Sequence, residues 1–150
     1  MDFVHEVTAH LENKPGRLAK ICSALAHEKV NIRAMSVMDA GARSVLRLVI
    51  DEKEPTGRIL TSLGTEHTWE DVLGLEVDHK TGSLAKILEH LAEEHINVEY
   101  AYVSAVGASG RSLAVFHTSN PKRAIHVLGE QANPSGSSDK DSGRRPLHAR

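Results

Sequence analysis

Two segments of this 150-residue chain, residues 13–18 and 79–84, combine residue types that can recognise a small zwitterion. Gly16 and Gly82 have no side chain to shield the backbone, and each comes just before an amphipathic stretch that predicts a helix. Free N–H groups and the dipole at a helix N-terminus attract a carboxylate. Nearby side chains supply acceptors for an ammonium group, namely those of Glu12, Asn13 and Asp78.

Two asparagines, Asn31 and Asn97, stand between a predicted helix and the strand that follows it. Each is flanked by β-branched residues, Ile32 and Val98 among them, and its amide offers a ligand both a donor and an acceptor. A plainer reading remains open, in which these asparagines only turn the chain. Gly16 and Gly82 are equally open to being turn residues that require a positive φ.

These features recur because the chain contains an internal duplication. At an offset of 66, residues 14–31 match residues 80–97 at ten of eighteen positions. The repeat predicts one unit at residues 1–67, a second at residues 68–133, and a tail at residues 134–150. The tail is rich in Ser, Gly and charge, and we expect it to be disordered.

Each copy reads as strand, helix, strand, strand, helix. Pro15 suits a helix start, and Pro55 and Pro121 mark the second helices. Residues 65–68 are expected to supply a last strand in the first copy, whereas the second copy has almost no room for one. This order predicts an α+β fold of two ferredoxin-like βαββαβ repeats, with helices on one face of an antiparallel sheet.

The pattern of a strand, Asn-x-Pro-Gly-x-Leu, an amphipathic helix and Val-Asn-Ile resembles the ACT domain. Residues 13–18 and 30–32 carry it in the first copy, and residues 79–84 and 96–98 carry it in the second. The chain is similar to small tandem ACT proteins that have no catalytic domain. The second copy departs from the pattern, because His79 and Thr81 stand where the family has Asn or Asp and Pro.

The resemblance implies a regulatory module that binds an amino acid or similar small ligand and pairs side by side into one continuous sheet. In this family the ligand contacts the loop before the first helix of one domain and the start of the second strand of its neighbour. The site that we favour first joins the loop of copy one to the second strand of copy two. The residues implied are Asn13, Pro15, Gly16, Leu18, Asn31, Ile32, Asp78, Gly82, Leu84, Asn97 and Val98.

Composition argues against several other functions. A net charge of -2 and only five aromatic residues give no footprint for nucleic acid and no platform for base stacking. The apolar runs are too short to cross a membrane. The lone Cys22 excludes an intrachain disulfide and a cysteine zinc cluster, and we expect a cytoplasmic protein.

Two alternatives to an amino-acid sensor stay open. The first is a metal-responsive sensor, since the chain has ten histidines; however, His90 and His95 lie about 140° apart on a helix and are poorly placed to share a metal. The second is a subunit that regulates a metabolic enzyme without a ligand of its own.

We expect no catalytic residues, cofactor or metal. An open sheet edge at the missing last strand of copy two would favour a homodimer.

Overall fold

The alternating and helical apolar patterns of the two copies produce six strands and four helices. The computed structural model describes residues 1–132, so the predicted tail at 134–150 lies outside the described residues. In chain order the elements are β1 (Asp2–Glu12), α1 (Arg17–His27), β2 (Ile32–Asp39), β3 (Arg43–Ile50), α2 (Lys53–Ser62), β4 (His67–Asp78), α3 (Ser83–Glu93), β5 (Val98–Val103), β6 (Arg111–Thr118) and α4 (Pro121–Ala132).

All six strands form one antiparallel sheet in the order β2-β3-β1-β4-β6-β5. The central pair, β1 and β4, joins the two copies. His5 lies opposite Asp71, its equivalent at the repeat offset of 66. Phe3 pairs with Leu73, and their equivalents in the other copy, Trp69 and Val7, pair with each other. The sheet therefore has a pseudo-twofold axis at His5 and Asp71, where the His5 Nδ1 lies 2.8 Å from the Asp71 Oδ1.

β1 and β4 each act as first strand of one repeat and fourth strand of the other. Of the strand predicted at residues 65–68, His67 and Thr68 form the beginning of β4, because no turn residue separates them from Trp69. The position of the missing last strand in copy two is filled by β1. The expectation of an open edge at that position was therefore wrong; the sheet edges are β2 and β5. The predicted boundary between 67 and 68 falls at the start of β4.

The helices cover one face of the sheet, as predicted, and build one apolar core for each repeat. The first core joins alternate residues of β1 and β3 to Ile21 and Leu25 of α1 and to Leu60 of α2. The second joins β4 and β6 to Leu91 of α3 and Val127 of α4. Within residues 1–132, no helix has the length and apolar character needed to span a membrane.

The opposite face of the sheet is also buried, because the sheet curls until strands β2 and β5 approach each other. We call it the concave face. No helix contributes to its apolar cluster, whose members are Val4, Ala34, Val49, Val72, Leu113 and Val115, with Tyr102 packed against them. Val4 is out of step with Val7, Ala9 and Leu11, the alternating apolar residues of β1 that face the helices; it belongs to the concave face and is 8% exposed.

The concave face is tightly packed around Gly74. A Cβ at this position would lie 2.6 Å from Val4 Cγ1 and 3.3 Å from Leu113 Cδ1. Gly74→Ala should therefore lower the free energy of unfolding by about 1–3 kcal/mol through overpacking, as measured by urea denaturation.

Gly57→Ala in α2 is the matched control, because its Cβ would meet only the Trp69 ring at an ordinary 3.8 Å. That variant should gain about 0.5–1 kcal/mol from helix propensity. In a Val4→Ala background the cost of Gly74→Ala should shrink. Unchanged stability of Gly74→Ala would contradict the packing described for Val4.

Candidate functional site

The two glycine loops have the same backbone geometry. Gly16 and Gly82 occupy the left-handed region, with φ of 84° and 86°, and the helices begin immediately after them. No atom lies within 4 Å of a Cβ built at either position, so conformation rather than space requires glycine. Pro15 therefore lies in the turn before α1 and not at the helix start, because the helix cannot begin until the chain has passed Gly16.

The helices that follow these loops have uncapped N-termini. No side chain accepts a hydrogen bond from the first turn of α1 or α3. The first helical bonds run from the Lys20 N–H to the Gly16 carbonyl and from the Lys86 N–H to the Gly82 carbonyl, at 3.0 and 3.1 Å. The first N–H of each helix is already taken, because Arg17 donates to the Lys14 carbonyl at 3.4 Å and Ser83 to the Lys80 carbonyl at 3.2 Å. The next two N–H groups of each helix have no partner within the helix, which is the arrangement that favours an anion.

A cavity of about 230 Å³ lies at the start of α3, between the second glycine loop and the ends of β5 and β6. We call it the α3 cavity. Its apolar wall consists of Val77, Leu84, Ala85 and Val103. Its polar lining consists of Asp78, His79, Lys80, Gly82, Ser83 and Ser112. The cavity thus joins an uncapped helix N-terminus, a carboxylate, a hydroxyl and an aliphatic wall.

Charged partners hold the acidic residue of each loop. In the second copy, Arg111 Nε lies 3.0 Å from the Asp78 Oδ1. In the first copy, the equivalent Glu12 lies 3.0 Å from Lys14 Nζ. The hydrogen bond from Lys14, with the positive charges of Lys14 and Arg17, lowers the pKa of Glu12. The two loops therefore differ, because the acid of copy two is tied to the sheet and the acid of copy one to its own loop.

The structure separates the predicted site residues into loop residues and strand-start residues. Asp78, Gly82 and Leu84 line the α3 cavity. Asn13, Pro15, Gly16 and Leu18 form the equivalent loop and first turn of copy one. Asn31 with Ile32, and Asn97 with Val98, lie where β2 and β5 begin, which is the opposite end of those strands from the glycine loops.

Consequently, one chain does not bring together the loop of copy one and the second strand of copy two. The register places Val98 level with His5 on β1, while the Gly16 loop follows Glu12 at the end of that strand. Seven residues of strand separate these two levels, which is about 23 Å. The two asparagines are exposed, and the Asn97 backbone pairs with Ser119, whose N–H lies 2.9 Å from the Asn97 carbonyl oxygen.

A second group of polar side chains lies on the concave face, and sequence patterns did not predict it. The Glu6 carboxylate is fully buried and accepts hydrogen bonds from the Tyr100 and Tyr102 hydroxyls, the latter at 2.5 Å. Burial, together with these bonds to Glu6, raises the pKa of both tyrosines. Arg47 Cζ lies 3.9 Å from the centroid of the Tyr100 ring. We call Glu6, Arg47, Tyr100, Tyr102 and His117 the Glu6 cluster.

The repeat itself contained a signal for this cluster. At the positions equivalent to Glu6, Tyr100 and His117, the other copy has Val72, Ala34 and Val49, all members of the apolar cluster of the concave face. A charged or polar residue in one copy, where the equivalent position of the other copy is apolar, marks a position at which the two copies have diverged. Both tyrosines lie on one face of β5, because a single residue separates them in the strand and both hydroxyls reach Glu6.

Within residues 1–132, no three His, Cys, Asp or Glu side chains are arranged to hold a metal ion. His90 Nε2 lies 3.3 Å from the Val127 carbonyl, and His95 occupies a left-handed turn with φ of 57°. Cys22 is half-buried on α1, and burial raises the pKa of its thiol.

The family model for an ACT domain pair matches residues 2–134. The chain belongs to the ACT domain pair family. ACT domains are regulatory modules, and this chain is a tandem pair of them in which each repeat lends its first strand to the other. A search of the curated proteins finds no significant match.

Solved structures share the architecture of this ACT pair. A protein of Bacteroides thetaiotaomicron is 27% identical, with a TM-score of 0.78 over 87% of this chain and 89% of the other. The ligand-free regulatory subunit of aspartate kinase from Thermus thermophilus is 15% identical, with a TM-score of 0.63 over 86% of this chain and 91% of the other. At 15% identity, the second likeness concerns the fold.

The Glu6 cluster leads to a stability prediction. Tyr102→Phe removes the donor to one oxygen of a buried carboxylate, so it should lower the free energy of unfolding by about 1–3 kcal/mol. The triple variant Glu6→Leu, Tyr100→Phe, Tyr102→Phe replaces the whole hydrogen-bonded set by apolar groups and should recover most of that loss. Urea denaturation measures both. A Tyr102→Phe variant as stable as the parent would show that the hydroxyl does not support Glu6.

Proposed function

We propose that this ACT pair is a non-catalytic sensor that binds an amino acid with a small aliphatic side chain in the α3 cavity. The observation that supports this function is the composition of the cavity. It joins the uncapped N-terminus of α3, the Asp78 carboxylate and an aliphatic wall within about 230 Å³. A free amino acid carries groups complementary to all three.

Each part of the ligand has a suitable counterpart. The α-carboxylate lies against the N–H groups of the first turn of α3, where the helix dipole stabilises it. The ammonium lies towards the Asp78 carboxylate and the Ser112 hydroxyl, which are acceptors. The side chain packs on Leu84 and Val103. About 230 Å³ holds roughly eight water-sized groups, which suits valine or leucine better than an aromatic amino acid.

The proposed output is the regulation of a metabolic enzyme. The Thermus thermophilus neighbour is a regulatory subunit of aspartate kinase, and the shared architecture supports a comparable arrangement for this chain. Ligand that binds one arrangement of the pair better than another shifts the population toward it, and the partner reads that shift. A ligand-free regulatory subunit is the alternative.

We also propose that the sensor acts as a homodimer. A second copy can supply the start of a second strand to a glycine loop, which one chain cannot do for itself. Exposed apolar side chains on the two edge strands support such a contact, with Val37 46% and Val103 44% exposed. Light scattering after size exclusion should give twice the chain mass with saturating ligand. A monomer under all conditions would contradict the dimer.

A thermal-shift screen of the twenty amino acids, with zinc and nickel alongside, tests the ligand. A ligand present at 100 times its Kd should add about 2.7 kcal/mol to the free energy of unfolding, which raises the Tm by several degrees. Valine, leucine or isoleucine should give the largest shift. A response to metal alone would favour the metal sensor, and no response at all would favour the ligand-free subunit.

Gly82→Ala and Gly16→Ala locate the site, because they impose the same left-handed strain on the two equivalent loops. Each should lose about 1–2 kcal/mol of stability. Gly82→Ala should also weaken the response to the amino acid, whereas Gly16→Ala should keep it. The reverse result would place the site in copy one, at the loop that the sequence favoured.

A further inference from the structure

β5 is held in the sheet by more than its ladder to β6. As an edge strand it has one hydrogen-bonded neighbour. The hydroxyls of Tyr100 and Tyr102 nevertheless reach the Glu6 carboxylate on β1, two strands beyond β6 in the sheet order. Arg47 on β3 lies over the Tyr100 ring. The Glu6 cluster therefore ties the outer strand of copy two to the two inner strands of copy one.

His117 completes this tie from β6. Its ring stacks on its cross-strand partner Tyr100, with centroids 4.8 Å apart and planes 9° apart. Its Nε2 lies 2.9 Å from the Glu70 carboxylate on β4. Its Nδ1 lies 2.6 Å from the Glu99 carboxylate on β5, although at an angle outside hydrogen-bond geometry, so that contact is electrostatic. One imidazole thus joins β4 and β5 through two carboxylates.

A β-bulge makes the second contact possible. Two residues of β5, Glu99 and Tyr100, oppose the single residue His117, because the register shifts between Val98 and Tyr100. The equivalent bulge in β2 presents Arg33 instead, whose guanidinium lies 3.3 Å from Asp51. The glutamate of the β5 bulge therefore faces a titratable ring that copy one lacks.

The contacts of His117 suit the imidazolium and not the neutral ring. The imidazolium has two N–H groups and a positive charge, and each nitrogen faces a carboxylate. A neutral imidazole has one N–H, so its other nitrogen would present a lone pair to the remaining carboxylate. Deprotonation would remove the positive charge that lies between the Glu70 and Glu99 carboxylates.

We propose that His117 is a pH-responsive latch that holds β5 in the curled sheet when its ring is protonated and loosens β5 when the ring is neutral. The closed latch joins Glu70 on β4 to Glu99 on β5 and supports the ring of Tyr100. In the open latch, one of these carboxylates repels the ring, and the imidazole stacked on Tyr100 no longer carries a charge. The groups that face the ring are Glu70 from β4, Glu99 and Tyr100 from β5, and, across Tyr100, Arg47 from β3 and Glu6 from β1.

The direction of the response follows from the charges around the ring. Burial by itself disfavours the imidazolium, but the hydrogen bond and charge of Glu70 and the charge of Glu99 outweigh it and raise the pKa of His117. A group whose pKa is higher in the folded state stabilises the fold fully below its unfolded pKa of about 6.5, and this contribution is lost as the pH rises through the folded pKa. The latch therefore loosens as the pH rises through the folded pKa of His117, which lies above the ordinary value.

Urea denaturation of the full chain between about pH 6 and about pH 8.5 tests the latch. The parent protein should lose stability across this range, by tenfold in the folding equilibrium constant for each pH unit that separates the folded from the unfolded pKa of His117. His117→Gln keeps an N–H donor but cannot carry a charge, so the loss of stability across this pH range should be smaller than in the parent. His126→Gln is the matched control, because His126 is exposed and pairs with Glu130 on one helix; it should keep the parent's pH dependence.

Two further measurements are direct. The His117 imidazole should titrate above the ordinary range by NMR, and it should titrate lower in the double variant Glu70→Gln, Glu99→Gln, which also serves if His117→Gln fails to fold. Amide exchange in β5 should accelerate with pH more than in β3. An equal pH dependence in the parent and His117→Gln, or a His117 pKa at or below the ordinary value, would overturn the proposal.

Discussion

The antiparallel pairing of β1 with β4 is the constraint on which the rest of this protein depends. A repeat of about 66 residues buries only enough surface for marginal stability when it is alone, and copy two has no fourth strand of its own within the described residues. Pairing about His5 and Asp71 solves both problems, because each repeat completes its sheet with the first strand of the other. Cutting the chain between the copies would therefore remove a strand from both halves.

The same pairing creates the concave face. Six strands that twist in one direction curl, and the two outer strands approach each other over the side that has no helices. This side holds Val4 and Val72 near the axis, and the Glu6 cluster to one side of it. A buried carboxylate is costly unless its oxygens are fully paired. Two tyrosine hydroxyls of the outer strand β5 meet that need, one on each carboxylate oxygen.

Much of the fold was predictable, because the duplication doubled every local signal. The helical spacing of apolar residues in α1 and α3 indicated one buried face on each helix. Ten identities in eighteen positions aligned the two copies. The helix-side core of β1 followed from the alternation of Val7, Ala9 and Leu11. Alternation indicates only one buried face, however. Nothing local to Val4 or Glu6 indicates that the other face is buried too, since that depends on a curl involving all six strands.

The candidate site was predictable in part for a similar reason. The sequence identified both glycine loops, since a positive φ before a helix needs glycine. The choice of Asn97 and Val98 as partners of the Gly16 loop depended on how the two copies pair. No short motif encodes that pairing. In a strand-helix-strand unit the helix carries the chain back across the sheet, so Gly16 and Asn31 must lie at opposite ends. Only the register of β1 with β4 excludes a meeting between Gly16 and Asn97 within one chain.

β5 connects the proposed sensor with the proposed latch, because its side chains alternate between two faces. Val103 lines the α3 cavity on the helix side, and its neighbour Tyr102 donates to Glu6 on the concave side. A strand moves as a unit, so whatever fixes Tyr102 also positions Val103. If both a proton on His117 and a ligand in the α3 cavity favour the same position of β5, their binding free energies are coupled, and each must raise the affinity for the other by the same factor. Ligand binding would then be tighter at low pH and would take up protons, a link that neither repeat could form without the other.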